Sequence, residues 1–207
     1  MRIAPSILPH LRDSAPDLWA DAVLCGAITH NDRASIAACV ALVDILSKLL
    51  TCQKPPEPEW WTDQYVRVAG PIEEGGRYRS RSPAFEGFEG TVSDFVNWQV
   101  PAVIQSSDPT VSWCDRWHSG AYLLETVPCA LLILARHGDN ADEAIVRAVN
   151  DTRDNDTVGA IVGAAVGALH GERALPERWQ KGLLGRTAAA DDGRVQQLIL
   201  EAVARFL

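Results

Sequence analysis

Four oxygen-bearing side chains crowd into seven consecutive positions in the second half of the chain. They are Asp151, Asp154, Asp156 and Thr157, with Arg153 as the cation among them. Hard oxygen ligands of this kind suit Mg²⁺, Mn²⁺ or Ca²⁺ rather than zinc. A tight turn could direct the oxygens of Asp154, Asp156 and Thr157 to one point. The pattern predicts either a divalent-cation site or the N-cap of a helix, because Asp and Thr are also favoured where helices begin.

The segment after this acidic turn is predicted to be a helix with a glycine face. Gly159, Gly163, Gly167 and Gly171 fall four residues apart and therefore lie on one side of a helix. Each interior glycine costs about 1 kcal/mol of helix stability relative to alanine. We therefore expect another backbone to pack closely against this side, which would fix the start of the helix in the core.

The remaining sequence predicts a helical domain that could position such a turn. Of the 207 residues, 47% are hydrophobic and 22% are charged, as in packed globular proteins. Apolar residues recur at three- and four-residue steps, whereas the alternation typical of strands is almost absent. The expected fold is all-α, in a single domain over residues 1–207. A long, glycine-rich loop is predicted over residues 70–90.

Capping residues indicate where several helices begin. Asn31 or Asp32 precedes one apolar periodic segment, and Asp139 or Asn140 precedes another. Between them, the strongly apolar stretch Ser119–Arg136 is predicted to form one long helix. These helices would surround the acidic turn.

The charge and cysteine content restrict the classes of partner. The formal net charge is -8, which argues against general binding to nucleic acids or to anionic membranes, because both need surplus cations. The five cysteines show no C-x-x-C spacing, so neither a zinc site nor a disulfide framework is indicated. No apolar stretch approaches the roughly 20 residues that span a bilayer. A cytoplasmic protein is expected.

The acidic turn and the glycine helix together resemble a known signature. The stretch 148–171, AVNDTRDNDTVGAIVGAAVGALHG, followed by Leu175–Trp179, is similar to the carboxy-terminal motif of the ADP-ribosylglycohydrolases, the family that includes the dinitrogenase reductase-activating glycohydrolase. Met1–Pro5 resembles the Met-Arg-x-Ala-Pro of that family. Ala27–His30 resembles its Thr-His at a helix end, and Ser119–Tyr122 resembles the segment that opens a later helix.

This resemblance implies a fold, a reaction and a set of site residues. The implied fold is a compact, multi-helix orthogonal bundle, and the implied reaction is hydrolysis of the N- or O-glycosidic bond of ADP-ribosylated substrates. Members of the family use a dinuclear Mg²⁺ (or Mn²⁺) centre that activates water. Residues that match the metal ligands are Asp154, Asp156 and Thr157, of which Asp154 and Asp156 are also the expected catalytic residues. Residues that match the ADP-ribose cleft are His30, Gly120 and Tyr122.

One part of the family pattern has no counterpart in this sequence. Family members carry an amino-terminal Gly-Asp segment and a Thr-Asp-Asp motif that complete the metal shell. Here Thr62-Asp63 supplies one carboxylate, and Asp191-Asp192 lacks the threonine and is equally explained as a helix cap. The expectation is an N-terminally truncated domain, the carboxy-terminal two-thirds of the family fold, with a mononuclear metal site or none.

Three functions therefore remain open at this point. The chain is a glycohydrolase, a non-catalytic module that binds ADP-ribose, or an interaction module derived from the family. In the last case a second copy or a partner chain would cover apolar surface on the amino-terminal side. A basic stretch, Arg77, Arg79 and Arg81 around Tyr78, would either meet a pyrophosphate or an ADP-ribosylated partner, or form a solvated loop.

Overall fold

The computed structural model describes residues 2–11, 17–183 and 193–206. The regular secondary structure of this part of the chain is helical apart from one two-stranded antiparallel ladder. This confirms the predicted all-α class. The α-helices, in chain order, are α1 (Leu18–Ala27), α2 (Arg33–Leu49), α3 (Pro58–Glu73), α4 (Val92–Ile104), α5 (Thr110–Arg116), α6 (Leu123–His137), α7 (Ala141–Asn150), α8 (Asn155–His170), α9 (Glu177–Leu183) and α10 (Arg194–Phe206). The strands are β1 (Tyr78–Arg79) and β2 (Glu89–Gly90), and the 3-10 helices span Ala4–His10, Pro83–Phe85 and Glu172–Ala174.

Several helices begin at the caps that the sequence predicts. The Asp32 side chain accepts a hydrogen bond from the backbone N–H of Ser35 at 2.9 Å and starts α2. Asn140 accepts one from Glu143 at 3.1 Å and starts α7. Such bonds satisfy backbone donors that have no partner within the helix, so the cap residue fixes the position of the first turn.

Helix α6 lies at the centre of the fold. Every residue from Leu124 to Ala135 is buried, as expected for a helix that is apolar on all sides. It packs against α3, α4 and α8, among other helices. Because α6 is held on all sides, the residues at its first turn have fixed positions next to the start of α8.

The predicted loop over residues 70–90 is shorter than expected. Helix α3 continues through Gly70 and Pro71 to Glu73, and the ladder of β1 and β2 occupies part of what remains. A tertiary contact explains the extension, because the Glu73 carboxylate accepts a hydrogen bond from the backbone N–H of Ser93 at 2.8 Å. This bond ties the last turn of α3 to the first turn of α4.

The expected close packing against the glycine face of α8 is wrong for two of its glycines. A Cβ atom added at Gly163 or Gly167 would meet nothing within 4 Å in the described part of the chain. A Cβ at Gly159 would lie 3.4 Å from Val149 of α7, an ordinary contact distance. Gly171, with φ of +75°, ends the helix in a conformation that favours glycine.

No helix of the described residues is long and apolar enough to cross a membrane. All five cysteines fall within the described ranges, and each carries a free thiol.

The buried Glu73 carboxyl allows a test of pH dependence. It is fully buried, and its Oε1 atom has no hydrogen-bond partner among the described residues. Burial raises the pKa of Glu73 above its usual value of 4.5. The stabilisation that this raised pKa provides is therefore present below about pH 4.5 and is lost as the pH rises through the folded-state pKa.

We expect the stability of Glu73→Gln, relative to the unsubstituted protein, to increase between about pH 4 and about pH 7, because the amide cannot ionise. Urea unfolding at both pH values measures this difference. The exposed Glu86 offers a control for the substitution itself, because Glu86→Gln makes the same chemical change at the protein surface. A relative stability of Glu73→Gln that falls with pH would contradict the assignment.

Candidate functional site

A cavity of about 750 Å³ lies between α1, α2, α6 and α8. This volume is within the range of small-molecule sites. Its inner wall is apolar and includes Leu42 and Ile45 of α2, Leu131 of α6 and Ile161 of α8. The polar residues that also line it include Thr29, His30, Asp32, Tyr78, Tyr122, Asp154 and Thr157. The cavity can therefore hold a ligand with both apolar and polar parts.

The acidic turn is attached to the segment that precedes α6. The backbone N–H of Asp154 donates to the carbonyl oxygen of Ser119 at 3.0 Å, and the N–H of Arg153 donates to the Ser119 hydroxyl at 3.2 Å. Asp154 occupies the N-cap position of α8, but its side chain makes no capping hydrogen bond. Asp154 lines the cavity, and its carboxyl is hydrogen-bonded to the Thr157 hydroxyl in the first turn of α8.

The carboxyls of Asp154 and Asp156 lie close enough to influence each other. Burial raises the pKa of Asp154, a hydrogen bond with the Thr157 hydroxyl lowers it, and the neighbouring Asp156 carboxyl raises it again. Two carboxyls in contact resist simultaneous ionisation. A cation placed between them would remove this repulsion.

Asp151 does not belong to the same cluster. Its Oδ1 atom lies 3.5 Å from Nη1 of Arg147 on α7, and the residue is buried beside a second cavity that Arg136 and His137 also line. The helical geometry of α7 explains this placement, because Arg147 and Asp151 are four residues apart. Of the four oxygen-bearing side chains that crowd this stretch of sequence, Asp151 therefore faces away from the other three.

These three oxygen-bearing residues fit only part of a metal shell. Asp154, Asp156 and Thr157 offer two carboxyls and a hydroxyl, which are ligands for a hard cation. Within the described ranges, no group of three or more His, Cys, Asp or Glu side chains could hold a metal ion. Asp63 is exposed on α3, and Asp191 and Asp192 lie outside the described residues. Asp154, Asp156 and Thr157 alone offer two carboxyls and one hydroxyl, ligand types that suit a hard cation such as Mg²⁺.

The three residues predicted to line a ligand cleft differ in their positions. His30 is exposed just after α1, its Nδ1 atom is 3.0 Å from the Thr29 hydroxyl, and it lines the cavity. Tyr122 also lines the cavity, at the N-cap of α6. Gly120 is not among the residues on the cavity wall. A Cβ at this position would lie 2.6 Å from Oε2 of Glu125, so the glycine allows that carboxylate to approach the backbone.

Other residues of the site had no clear signal in the sequence. The Tyr78 hydroxyl accepts a hydrogen bond from the backbone N–H of Ala34 at 3.2 Å and lies 3.4 Å from Oδ1 of Asp32. The predicted helix Ser119–Arg136 begins only at Leu123. Residues 117–122 therefore form a connector between α5 and α6. A long separation along the chain between Tyr78 and Asp32 explains why no local pattern revealed their contact.

This connector contains backbone strain. His118 has φ of +75° and Ser119 has φ of +40°, a region that residues other than glycine rarely adopt. Ser119 is fully buried, and the hydrogen bonds from Arg153 and Asp154 hold it in place. The strain is thus located where the connector supports the acidic turn.

We expect Ser119→Ala to lower the free energy of unfolding by about 1 kcal/mol, because it removes the hydrogen bond between the N–H of Arg153 and the buried Ser119 hydroxyl. Ser119→Gly loses the same hydroxyl but relieves the positive φ, so it should be at least as stable as Ser119→Ala. Urea unfolding of the two variants measures the comparison. An alanine variant clearly more stable than the glycine variant would contradict the strained conformation.

The sequence of this chain is similar to that of known proteins. A family model described as ADP-ribosylglycohydrolase matches residues 1–206. The ADP-ribosylarginine hydrolase Tri1 of Pseudomonas putida (strain GB-1) is 24% identical over 179 residues, which cover 86% of this chain and 39% of that protein. The uncharacterized protein YegU of Escherichia coli (strain K12) is 30% identical over 77 residues, 35% of this chain and 23% of that protein. The chain thus spans well under half the length of these curated relatives.

Proposed function

Because the chain belongs to the ADP-ribosylglycohydrolase family, we propose that it hydrolyses the glycosidic bond between ADP-ribose and an acceptor. One observation carries the proposal. The carboxylate of Asp154 and the hydroxyl of Thr157 line the same cavity as His30 and Tyr122, although these residues come from three separate parts of the sequence. A histidine and an aromatic ring near a pair of acidic groups suit the binding of a sugar nucleotide.

Each group has a defined part in this proposal. Asp154, Asp156 and Thr157 would hold one Mg²⁺ (or Mn²⁺), which would polarise the ribose hydroxyls and make water more acidic. Asp154 orients the attacking water at the cavity wall, and Asp156 adds a second negative charge to the acidic turn. His30 and Tyr122 hold the ADP-ribose part of the substrate. The amino-terminal end of α8 adds positive potential near the reacting carbon.

The test is the release of ADP-ribose from a modified protein. Because one relative is named an ADP-ribosylarginine hydrolase, a protein ADP-ribosylated on arginine is the first substrate, with a serine-modified protein beside it. We expect Mg²⁺-dependent release that a chelator abolishes. Binding of ADP-ribose by calorimetry without release from either substrate would favour the non-catalytic binding module. If the protein neither releases nor binds ADP-ribose, the proposal is contradicted.

A second function has a specific observation in its favour. Leu24 and Ile28, on and just after α1, are 66% and 81% exposed, and Ile28 also lines the cavity. Large apolar side chains exposed side by side are typical of surfaces that another protein covers. We propose that a second copy of the chain or a partner chain covers this surface in the cytoplasm, a compartment that the five free cysteines favour.

We expect sedimentation to show a concentration-dependent dimer that Leu24→Glu with Ile28→Glu abolishes. Val149→Glu is a matched control, since Val149 is also an exposed apolar residue but lies on α7. A monomer at every concentration, unchanged by the substitutions, would contradict self-association. The same pair of variants would then test whether a different partner chain covers this surface.

A further inference from the structure

The Tyr122 side chain is held by the segment that contains strand β1. Its hydroxyl donates a hydrogen bond to the carbonyl oxygen of Arg79 at 3.2 Å. The guanidinium carbon of Arg81 lies 4.7 Å from the centroid of the Tyr122 ring, within the range of a cation–π contact. Tyr122 lines the cavity, whereas Arg81 is not among its lining residues. The guanidinium therefore contacts the Tyr122 ring without itself lining the cavity.

A buried carboxylate fixes the position of Arg81. Glu125, in the first turn of α6, is 1% exposed. Its Oε1 atom accepts a hydrogen bond from Nε of Arg81 at 2.7 Å, and its Oε2 atom accepts bonds from Nη2 of Arg81 at 2.9 Å and from the N–H of Gly120 at 3.0 Å. A two-point pair of this kind fixes the plane of a guanidinium as well as its position.

The other two arginines of the basic stretch have a different role. Arg77 and Arg79 both pair with Glu89 of β2, with nitrogen–oxygen distances of 3.7 Å and 2.9 Å, and both side chains are largely exposed. Only the backbone carbonyl of Arg79 contacts Tyr122. Since the described partners of all three arginines are carboxylates of this chain, their arrangement does not support a pyrophosphate site.

We propose that Arg81 is a positioning residue whose ion pair with Glu125 fixes the Tyr122 ring as a flat wall of the cavity, against which a planar group of the ligand lies. The planar group is a nucleobase if the proposed function is correct, and this part of the inference rests on that function. Stacking against a fixed ring loses less entropy on binding than stacking against a mobile one.

The conformation of Tyr122 can be measured directly because the chain has three tyrosines. Labelling with 3-fluorotyrosine should give three ¹⁹F resonances, and a Tyr122→Phe variant identifies one of them. We expect Arg81→Ala to shift or broaden the Tyr122 resonance. Arg79→Ala is a matched control, because it removes the same charge two residues away and keeps the carbonyl that Tyr122 contacts. It should leave the Tyr122 resonance in place.

Binding is the second measurement. We expect Arg81→Ala to weaken the binding of ADP-ribose, measured by calorimetry, about fivefold or more, and Arg79→Ala to change it less than about twofold. The double variant Arg81→Met with Glu125→Gln removes the ion pair without leaving a buried charge, and it should behave like Arg81→Ala. Thermal unfolding of each variant shows whether the fold is retained.

The outcomes separate this inference from the proposed function. A Tyr122 resonance that is unchanged in both Arg81 variants would overturn the inference, whatever the protein binds. A shifted resonance with unchanged ADP-ribose affinity would overturn its ligand-binding part. If the unsubstituted protein binds no ADP-ribose, the proposed function fails, and adenosine then serves as the planar probe. Adenosine binding that weakens in Arg81→Ala would support the inference, and no adenosine binding would overturn it.

Discussion

Asparagine in place of Asp154 should lower the rate of ADP-ribose release about a hundredfold or more, which is typical for the loss of a positioned acid–base group. The substitution keeps the shape of the side chain, and asparagine is as good an N-cap as aspartate. It removes the charge that would hold a cation and orient water. It also removes the repulsion between this carboxyl and Asp156, so the variant should be at least as stable as the unsubstituted protein. Rates with and without Mg²⁺ and urea unfolding measure the two effects.

Asp151→Asn is the matched control for this prediction. It removes a charge from the same acidic stretch, but its carboxylate faces Arg147 and not the cavity. We expect its activity to remain within about threefold of normal, although its stability should fall through the loss of the ion pair. If Asp154→Asn retained full activity, the acidic turn would be a structural helix start and the proposed chemistry would be wrong.

The largest expected effect on stability comes from Arg136, in the last turn of α6. Its guanidinium donates to four backbone carbonyls at or after the end of α4: Val103, Ile104 at 3.1 Å, Ser106 at 3.0 Å and Asp108 at 2.8 Å. We expect Arg136→Met to lower the free energy of unfolding by about 3 kcal/mol, because these carbonyls lose a charged donor. The methionine keeps much of the apolar stem. Urea unfolding measures the change.

Arg178 provides the comparison for Arg136. It is exposed on α9 and its Nη2 atom lies 3.4 Å from Oδ2 of Asp142, an arrangement that usually contributes little. We expect Arg178→Met to change the free energy of unfolding by less than about 0.5 kcal/mol. Equal effects of the two substitutions would show that Arg136 does not hold the end of α4.

The features that the sequence predicted well are local ones. Asp32 and Asn140 cap helices through bonds that span three residues, so the pattern and the contact occupy the same short stretch. Asp154 and Thr157, which the sequence placed in one tight turn, also lie close together and both line the cavity, whereas their role as metal ligands stays a prediction. A prediction of this kind needs only helical geometry.

The features that were missed depend on distant parts of the chain or on the backbone. Arg81 and Glu125 are 44 residues apart, and neither has a neighbour that signals the pair. The positive φ angles of His118 and Ser119 have no signature in residues other than glycine. The opposite error occurred at Gly163 and Gly167, where glycine was interpreted as a sign of close packing although the described neighbours leave space for a side chain.

The connector before α6 contacts both the acidic turn and the Glu125 carboxylate that binds Arg81. Ser119 holds the backbone of the acidic turn, and the adjacent Gly120 holds the carboxylate that secures Arg81 against Tyr122. A ligand that shifts the connector at one end therefore also shifts the groups held at the other. Under the proposed function, a cation at the turn and a nucleotide on the ring would thus be coupled, and by thermodynamic reciprocity each would change the affinity of the other by the same factor.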